Sequence, residues 1–189
     1  MAENINTPEH WNEVYKGIIA GNPRYRGVHE DNKFIANQII VSGTKVLDVG
    51  CGDGELLHQI SLQKSCDLNG CDITSVGIEF AKKNVPTAHF EVIPPEPKEL
   101  PFSDIDTLLC IQTIEHLENP AEYIEKWKKS LKPTGQMFLI IPYRLSSEDH
   151  TGLFGLKELE ELLFEVKPMQ FALATRHTGL LNLLVWLTF

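Results

Sequence analysis

The chain has little positive charge and few of the patterns that mark metal clusters. Its 189 residues include 17 Lys and Arg against 26 Asp and Glu, which gives a formal net charge of −9. That balance argues against a broad phosphate-binding surface, and nucleic acid is therefore a disfavoured partner. None of the four cysteines forms a C-x-x-C pair, so a zinc cluster is not expected either. With 42% hydrophobic residues, the chain is expected to fold as a single globular domain.

Long apolar runs and a secretory leader are missing as well. Residues 1–10 are polar, so we expect no signal peptide. The apolar residues 180–189 are too few to span a bilayer and predict a buried strand. Three of the four cysteines fall in or beside predicted buried strands, where a free thiol behaves as a small apolar group. These features lead us to expect a reduced, cytoplasmic protein.

What the sequence does contain is a glycine turn between a strand and a helix. Residues 46–57 read VLDVGCGDGELL, an apolar strand followed by a turn and the start of a helix. Gly50, Gly52 and Gly54 can adopt positive φ and let a ligand approach bare backbone. Amide groups at the start of the helix would point back toward the turn. This pattern predicts a cradle for a nucleotide-type cofactor.

The turn differs from the dinucleotide pattern G-x-G-x-x-G. Leu56 and Leu57 occupy the place of a third spaced glycine, and Asp48 lies two residues before the first one. The whole string resembles motif I of the class I S-adenosylmethionine-dependent methyltransferases. A nicotinamide site and an ordinary strand–turn–helix without ligand are the alternatives. The resemblance implies S-adenosylmethionine as the cofactor.

The resemblance also implies how that cofactor is held. Its amino acid end would lie on Gly50, Cys51 and Gly52. The matching acid of the family, here Asp48, orients the turn or contacts the cofactor's amino group through water. Asp72 ends a predicted strand 22 residues after Gly50, where a carboxylate suits the two ribose hydroxyls. Capping of the next helix is the alternative role for Asp72.

Further contacts follow from register with the family. Ile73 would form an apolar wall against the adenine or ribose. Glu96 would accept from the adenine amino group, although Pro97 lacks the N–H that the family often uses next to it. Gln112 would face the sulfur end of the cofactor. Trp11 and Tyr15 resemble a W-x-x-x-Y element that folds over the methionine end, with core packing as the alternative.

A Glu-His pair is the candidate for catalysis. Glu115-His116 follows a predicted strand, as in quinone-pathway O-methyltransferases and small-RNA 2′-O-methyltransferases. In the latter, an E-x-x-E-H arrangement and a later His hold a divalent metal. Here Gln112 replaces the first Glu, and His150 could be the later His. The resemblance implies Glu115, His116 and His150 as catalytic residues, with a general base, a metal site and simple bracing of the loop as open alternatives.

The order of predicted elements gives the fold. Strands alternate with helices through most of the chain, which predicts a mainly parallel sheet with an antiparallel final strand. This order matches the Rossmann-like, seven-stranded methyltransferase fold, which the resemblance therefore implies. We expect a lid segment at 1–30 and the methyltransferase domain at 31–189. Predicted helices lie at 9–19, 31–41, 55–62, 75–84, 120–131 and 156–165, and predicted strands at 45–49, 66–72, 88–92, 105–110, 136–141, 169–174 and from 180 onward.

The expected function is methyl transfer to an oxygen acceptor, with nitrogen as the less favoured choice. Only residues 1–30 and the loop 143–155 are available to cover the site, so an open pocket is expected. Such a pocket suits a small-molecule, glycan or lipid-type acceptor, and a homodimer would be one way to close it. The alternatives are a metal-assisted RNA 2′-O-methyltransferase and a cofactor-binding pseudoenzyme that acts as a partner subunit.

Overall fold

A computed structural model describes residues 6–21, 34–143, 161, 170–175 and 181–188 of the chain. These residues form a seven-stranded sheet in the order β3-β2-β1-β4-β5-β7-β6. Strands β1 to β5 run parallel, whereas β7 is antiparallel to both of its neighbours, β5 and β6. The strands are β1 Lys45–Val49, β2 Asp67–Asp72, β3 His89–Val92, β4 Ile105–Ile111, β5 Leu131–Tyr143, β6 Gln170–Thr175 and β7 Leu181–Thr188. The predicted Rossmann-like architecture with a mainly parallel sheet is confirmed.

The strand order fixes where a ligand can bind. After β1 the chain moves outward to β2 and β3, and then crosses back to place β4 on the other side of β1. In an open parallel sheet, this reversal leaves a crevice at the carboxyl ends of the central strands. The glycine turn follows β1 and therefore lies at this crevice.

Local capping explains where the helices begin. The α-helices among the described residues are α1 Pro8–Ile19, α2 Glu55–Ser61, α3 Ser75–Asn84 and α4 Pro120–Trp127. Thr7 and Thr74 cap α1 and α3 through their side-chain oxygens. Asn119 caps α4 with Pro120 in its first turn, as the sequence predicts. None of the described helices has the length and apolar character needed to cross a membrane.

Several predicted boundaries are wrong. The helix expected over 31–41 is, in its described part, a single π-helical turn, Ile35–Ile39. Residues 132–135, which fall between the predicted helix 120–131 and the predicted strand 136–141, lie within β5, where the pairing with β4 shifts register. The strand predicted at 136–141 continues past its predicted end, and Pro142 pairs with Asn182. Because β4 makes its last pair with Ile140, Pro142 stands where hydrogen bonding on that side has already stopped. The loop 143–155 and the helix 156–165 lie almost wholly outside the described residues.

Apolar side chains cover both faces of the sheet. On one face, Leu47 and Val49 of β1 pack in a cluster that also contains Trp127 of α4. On the other face, Val46 packs in a cluster with Leu57 of α2 and further residues of α3. The alternation along β1 follows from the two-residue period of a strand, and burial on both sides is typical of parallel sheets. All four cysteines are free thiols.

Candidate active site

A cavity of about 530 Å³ opens at the carboxyl ends of β1, β2 and β4. Its walls come from the glycine turn, the end of β2, the loop after β3, the turn after β4 and one side of α1. Among the lining residues that the structure describes, five carry carboxyl groups. The described lining contains no Lys or Arg. The acidic lining residues are Asp48, Asp53, Glu55, Asp72 and Glu115. Among the described lining residues, no Lys or Arg side chain would therefore repel a ligand that carries positive charge.

The glycine turn has the backbone conformation that the sequence predicts. Gly50, Gly52 and Gly54 have φ angles of 79°, 53° and 76°, which residues other than glycine rarely adopt. A Cβ atom on Gly50 would collide with the Thr113 side chain, and one on Gly52 with the Tyr15 hydroxyl. Gly50 and Cys51 line the cavity, but Gly52 and Gly54 are not among its lining residues. Gly54 instead caps α2 and packs against α3.

Two buried carboxyl groups stand beside this turn. Asp72 accepts 2.8 Å from the amide of Gly52 through Oδ2 and 2.9 Å from the amide of Thr74 through Oδ1. Burial raises the pKa of Asp72, although hydrogen bonds from the Thr74, Gly52 and Ile73 amides oppose the rise. Burial also raises the pKa of Asp48, and the nearby charge of Asp72 adds to that effect. Both acids and Ile73 line the cavity.

Helix α1 closes one side of the cavity. Trp11 and Tyr15 both line it, which brings the predicted W-x-x-x-Y residues to the glycine turn. Burial raises the pKa of the Tyr15 phenol, and the charge of Asp72 contributes further. The neighbouring Asn12 holds the helix to α3, since its Oδ1 accepts from Thr74 Oγ1 at 2.6 Å and from the Val76 amide at 3.1 Å.

The turn after β4 carries the Glu-His pair. Gln112 lines the cavity with a φ of 52°, an unusual value for a residue with a side chain. A short 3₁₀ turn, Ile114–His116, follows and turns Glu115 and His116 toward the cavity. The His116 ring lies 5.1 Å from the Trp11 ring between centroids, in an edge contact. Burial lowers the pKa of His116, and the charge of His10 lowers it further.

Glu115 is electrostatically unusual. Among the buried side-chain oxygens and nitrogens that the structure describes, its Oε2 is the one without a hydrogen-bond partner. Burial raises the pKa of Glu115 from 4.5 to about 8, because the carboxylate has lost its hydration. A buried polar atom with no protein partner, at the wall of a cavity, is available to a ligand.

The loop after β3 forms the opposite wall, and here the structure differs from the prediction for Glu96. Pro95 and Pro97 line the cavity, but Glu96 does not. Its carboxylate is exposed and accepts from the hydroxyl of Tyr123 on α4. The Trp127 indole N–H, on the same helix, donates to the Pro97 carbonyl at 2.8 Å. The loop is therefore held from α4, and Glu96 points away from the position that the sequence assigned to it.

No metal centre is found in the part of the chain that the structure describes. None of its groups of three or more His, Cys, Asp or Glu side chains is arranged to hold an ion. His150, the predicted third member with Glu115 and His116, lies outside the described residues. Within them, the His116 ring contacts Trp11, whose ring also contacts His10.

Three residues of this region were not predicted. His10 lines the cavity beside Trp11, Thr113 covers Gly50, and Asn12 anchors α1. Only Asn12 gave a signal in the sequence: asparagine in a helix interior is unfavourable unless its side chain has a partner.

Comparison with known proteins agrees with this geometry. A family model described as a methyltransferase domain matches residues 47–139. The ubiquinone biosynthesis O-methyltransferase of Haemophilus ducreyi is 34% identical over 106 residues, covering 51% of this chain and 44% of that protein. The enzyme of the same name from Pseudomonas aeruginosa is 27% identical over 173 residues, covering 82% of this chain and 74% of that protein. This chain thus spans less than half of the first relative and about three quarters of the second.

Solved structures support the fold. A SAM dependent methyltransferase from Aquifex aeolicus superimposes with a TM-score of 0.61 at 18% identity, covering 77% of this chain and 83% of that one. At this level of identity, the similarity concerns the fold alone.

Proposed function

We propose that this chain methylates an oxygen atom of a small-molecule acceptor. The premise is that it carries a class I S-adenosylmethionine-dependent methyltransferase domain, which is the catalytic domain of enzymes whose cofactor is S-adenosylmethionine. The observation that carries the choice of oxygen is the buried Glu115 carboxyl, whose Oε2 has no protein partner at the cavity wall. A hydroxyl nucleophile must lose a proton, and this group can receive it.

The residues around the glycine turn fit the cofactor. The turn between Gly50 and Gly52 offers backbone that a side chain would block. Asp72 suits the ribose hydroxyls, since a carboxylate that accepts two amides retains further lone pairs. Ile73 supplies an apolar wall beside it. The described lining contains no Lys or Arg that would repel a cation, and S-adenosylmethionine supplies a methyl group that is already activated on a positively charged sulfur.

Asp48, Cys51 and Gln112 complete the part of the cavity assigned to the cofactor. Asp48 is buried two residues before Gly50 and lines the cavity. There it is available to the amino group of S-adenosylmethionine, directly or through water. Trp11 and Tyr15 cover the methionine end from α1. Glu96 is left out of this assignment, because its carboxylate is bound to Tyr123 outside the cavity.

Glu115 and His116 are both candidates for the general base in this proposal, and Glu115 is the preferred one. The chain holds the acceptor hydroxyl near Glu115, which takes its proton as the oxygen is methylated. His116 stays neutral at ordinary pH, because burial lowers its pKa, and it is held by the edge contact with Trp11. It is the second candidate for the base, and His150 remains a third from outside the described residues. Positioning of the acceptor in line with the methyl group supplies the rest of the rate enhancement.

The acceptor class is supported by the relatives. Both named relatives are O-methyltransferases of ubiquinone biosynthesis, which favours an oxygen on an isoprenoid quinone precursor or a similar lipid-type molecule over nitrogen, a glycan or nucleic acid. Residues 1–30 are proposed as the lid of the domain formed by 31–189, with a homodimer as a further way to cover the site. A cytoplasmic setting is also proposed, in keeping with four free thiols.

The test is a transfer assay with paired acceptors. Binding of S-adenosylmethionine is first measured by calorimetry, and radiolabelled methyl transfer is then followed to phenols and to matched anilines. The proposal expects transfer to phenols and a loss of most activity in Glu115→Gln. The pH profile separates the two bases: activity that rises toward about pH 8 identifies Glu115, whereas a rise centred below the usual histidine range identifies His116. Tight binding without transfer to any acceptor would identify a cofactor-binding subunit instead.

A further inference from the structure

Helix α1 is fixed to the cofactor turn by a side chain that does not line the cavity. Asn12 Oδ1 accepts two hydrogen bonds, 2.6 Å from Thr74 Oγ1 and 3.1 Å from the Val76 amide. Thr74 is fully buried and caps α3 by accepting from the Gly77 amide. The first turn of α3 is thus capped by two side chains, one of which comes from a helix more than 60 residues earlier in the chain.

The hydrogen bonds continue from this cap to the glycine turn. The amide of Thr74 donates to Asp72 Oδ1 at 2.9 Å, and the amide of Gly52 donates to Asp72 Oδ2 at 2.8 Å. The first turn of α3 also packs directly on the glycine turn, since a Cβ on Gly77 would lie 2.9 Å from the Gly52 carbonyl oxygen. Asn12 is therefore connected to Gly52 through Thr74 and Asp72.

The same helix reaches Gly52 by a second route. Tyr15 lies one helical turn after Asn12 and brings its hydroxyl against Gly52. Trp11 is adjacent to Asn12 and contacts His116 at the other side of the cavity. If α1 moves away from α3, the Asn12 hydrogen bonds break, and both aromatic residues leave the cavity with it.

We propose that Asn12 is a positioning residue that couples the docking of α1 to the ribose carboxylate Asp72, and thereby sets the affinity for the cofactor without touching it. The inference rests on the proposed function, because it takes the cavity to be the S-adenosylmethionine site. Its physical content is linkage: the cofactor binds more tightly to the docked state, so any change that favours the undocked state lowers the apparent affinity.

The experiment compares three variants of the full chain. Asn12→Ala removes the acceptor, Asn12→Asp keeps an oxygen at the same place beside the positive end of α3, and Glu13→Ala is the matched control on the exposed side of the same helix. Calorimetry gives Kd for S-adenosylmethionine and its demethylated product. Hydrogen exchange of the amides of residues 8–19 is measured without ligand, and melting temperatures report on stability. Asn12→Leu, which keeps the size of the side chain, repeats the test should the alanine variant fold poorly.

We expect Asn12→Ala to weaken cofactor binding about tenfold, which corresponds to about 1.4 kcal/mol, and to speed exchange in α1. The Kd of Asn12→Asp should lie within about threefold of the Kd of the unchanged protein, which corresponds to less than about 1 kcal/mol. Glu13→Ala should have the same Kd as the unchanged protein. Equal affinity in Asn12→Ala and the unchanged protein, or equal losses in the alanine and aspartate variants, would overturn the inference while the proposed function stands. Failure of the unchanged protein to bind the cofactor would overturn both.

Discussion

Replacing Glu115 by glutamine should make the free protein more stable at alkaline pH and leave it nearly unchanged at acidic pH. The two side chains have the same shape, but glutamine cannot ionise. In the folded chain, burial raises the pKa of Glu115 from 4.5 to about 8, whereas in the unfolded chain its pKa returns to the lower value. Between these limits the folded state holds a proton that the unfolded state has released, so stability falls as pH rises.

The magnitude follows from that difference in pKa. At 1.36 kcal/mol for each pKa unit, the rise from 4.5 to about 8 corresponds to a cost of about 5 kcal/mol for ionising Glu115 in place. Glu115 lines the cavity, so water that enters can lower this cost, and we expect an advantage of about 2–4 kcal/mol for Glu115→Gln near pH 9. In a chain of this size that is roughly 4–16 °C in melting temperature.

The assay is thermal unfolding of both proteins at several pH values from about 5 to about 9, without cofactor. The difference between them is the quantity of interest, because Asp48 and Asp72 affect both proteins alike. Glu118→Gln is the matched control, since Glu118 is exposed three residues later on the same segment. A melting-temperature difference that stays constant across the pH range would show that Glu115 ionises normally and would refute the reasoning.

Three further predictions concern the cofactor and the metal alternative. In calorimetry, Gly52→Val should abolish binding of S-adenosylmethionine, because valine cannot readily take a φ of 53° and would collide with Tyr15. Asp72→Ala should weaken this binding strongly. The control Glu91→Ala, which removes an exposed acid on β3, should leave the binding unchanged. Hydrogen exchange should show slower exchange in residues 8–19 once the cofactor is bound, and equal protection in both states would rule out gating by α1. Chelator should leave transfer unchanged if the Glu-His pair acts as a base, whereas loss of activity that Mg²⁺ restores would require a metal site.

The parts of the site that the sequence predicts well are those built from neighbouring residues. The positive φ values of Gly50, Gly52 and Gly54 follow from the glycine pattern after an apolar strand, and Asp72 follows from its place at the end of the next strand. Both features depend on local backbone and on the parallel arrangement of adjacent strands, which hydrophobic patterning indicates directly.

The parts that the sequence does not predict depend on contacts between distant segments. The partner of Glu96 is Tyr123, on a helix 27 residues later, and nothing in the loop itself indicates that the carboxylate turns toward it. Asn12 meets α3 more than 60 residues away. Strand β5 continues through 132–135 because its pairing with β4 shifts register there. The Pro-Thr-Gly sequence alone predicts a break in the strand at this point. Side-chain direction and register are tertiary properties, and periodicity does not contain them.

The different attachments of the two cavity walls have a kinetic consequence. The wall formed by Pro95 and Pro97 is anchored by Trp127, a core residue, and so exists before any ligand arrives. The wall formed by α1 is joined to the start of α3 by the Asn12 hydrogen bonds, and its Tyr15 and Trp11 side chains lie against Gly52 and His116. A ligand that enters would therefore first contact the wall formed by Pro95 and Pro97. The wall formed by α1 would then hold the ligand in the cavity. If α1 undocks as proposed, the association rate of the cofactor would reflect the loop after β3. The residence time of the cofactor, and the release of its demethylated product after each turnover, would then depend on how often α1 undocks.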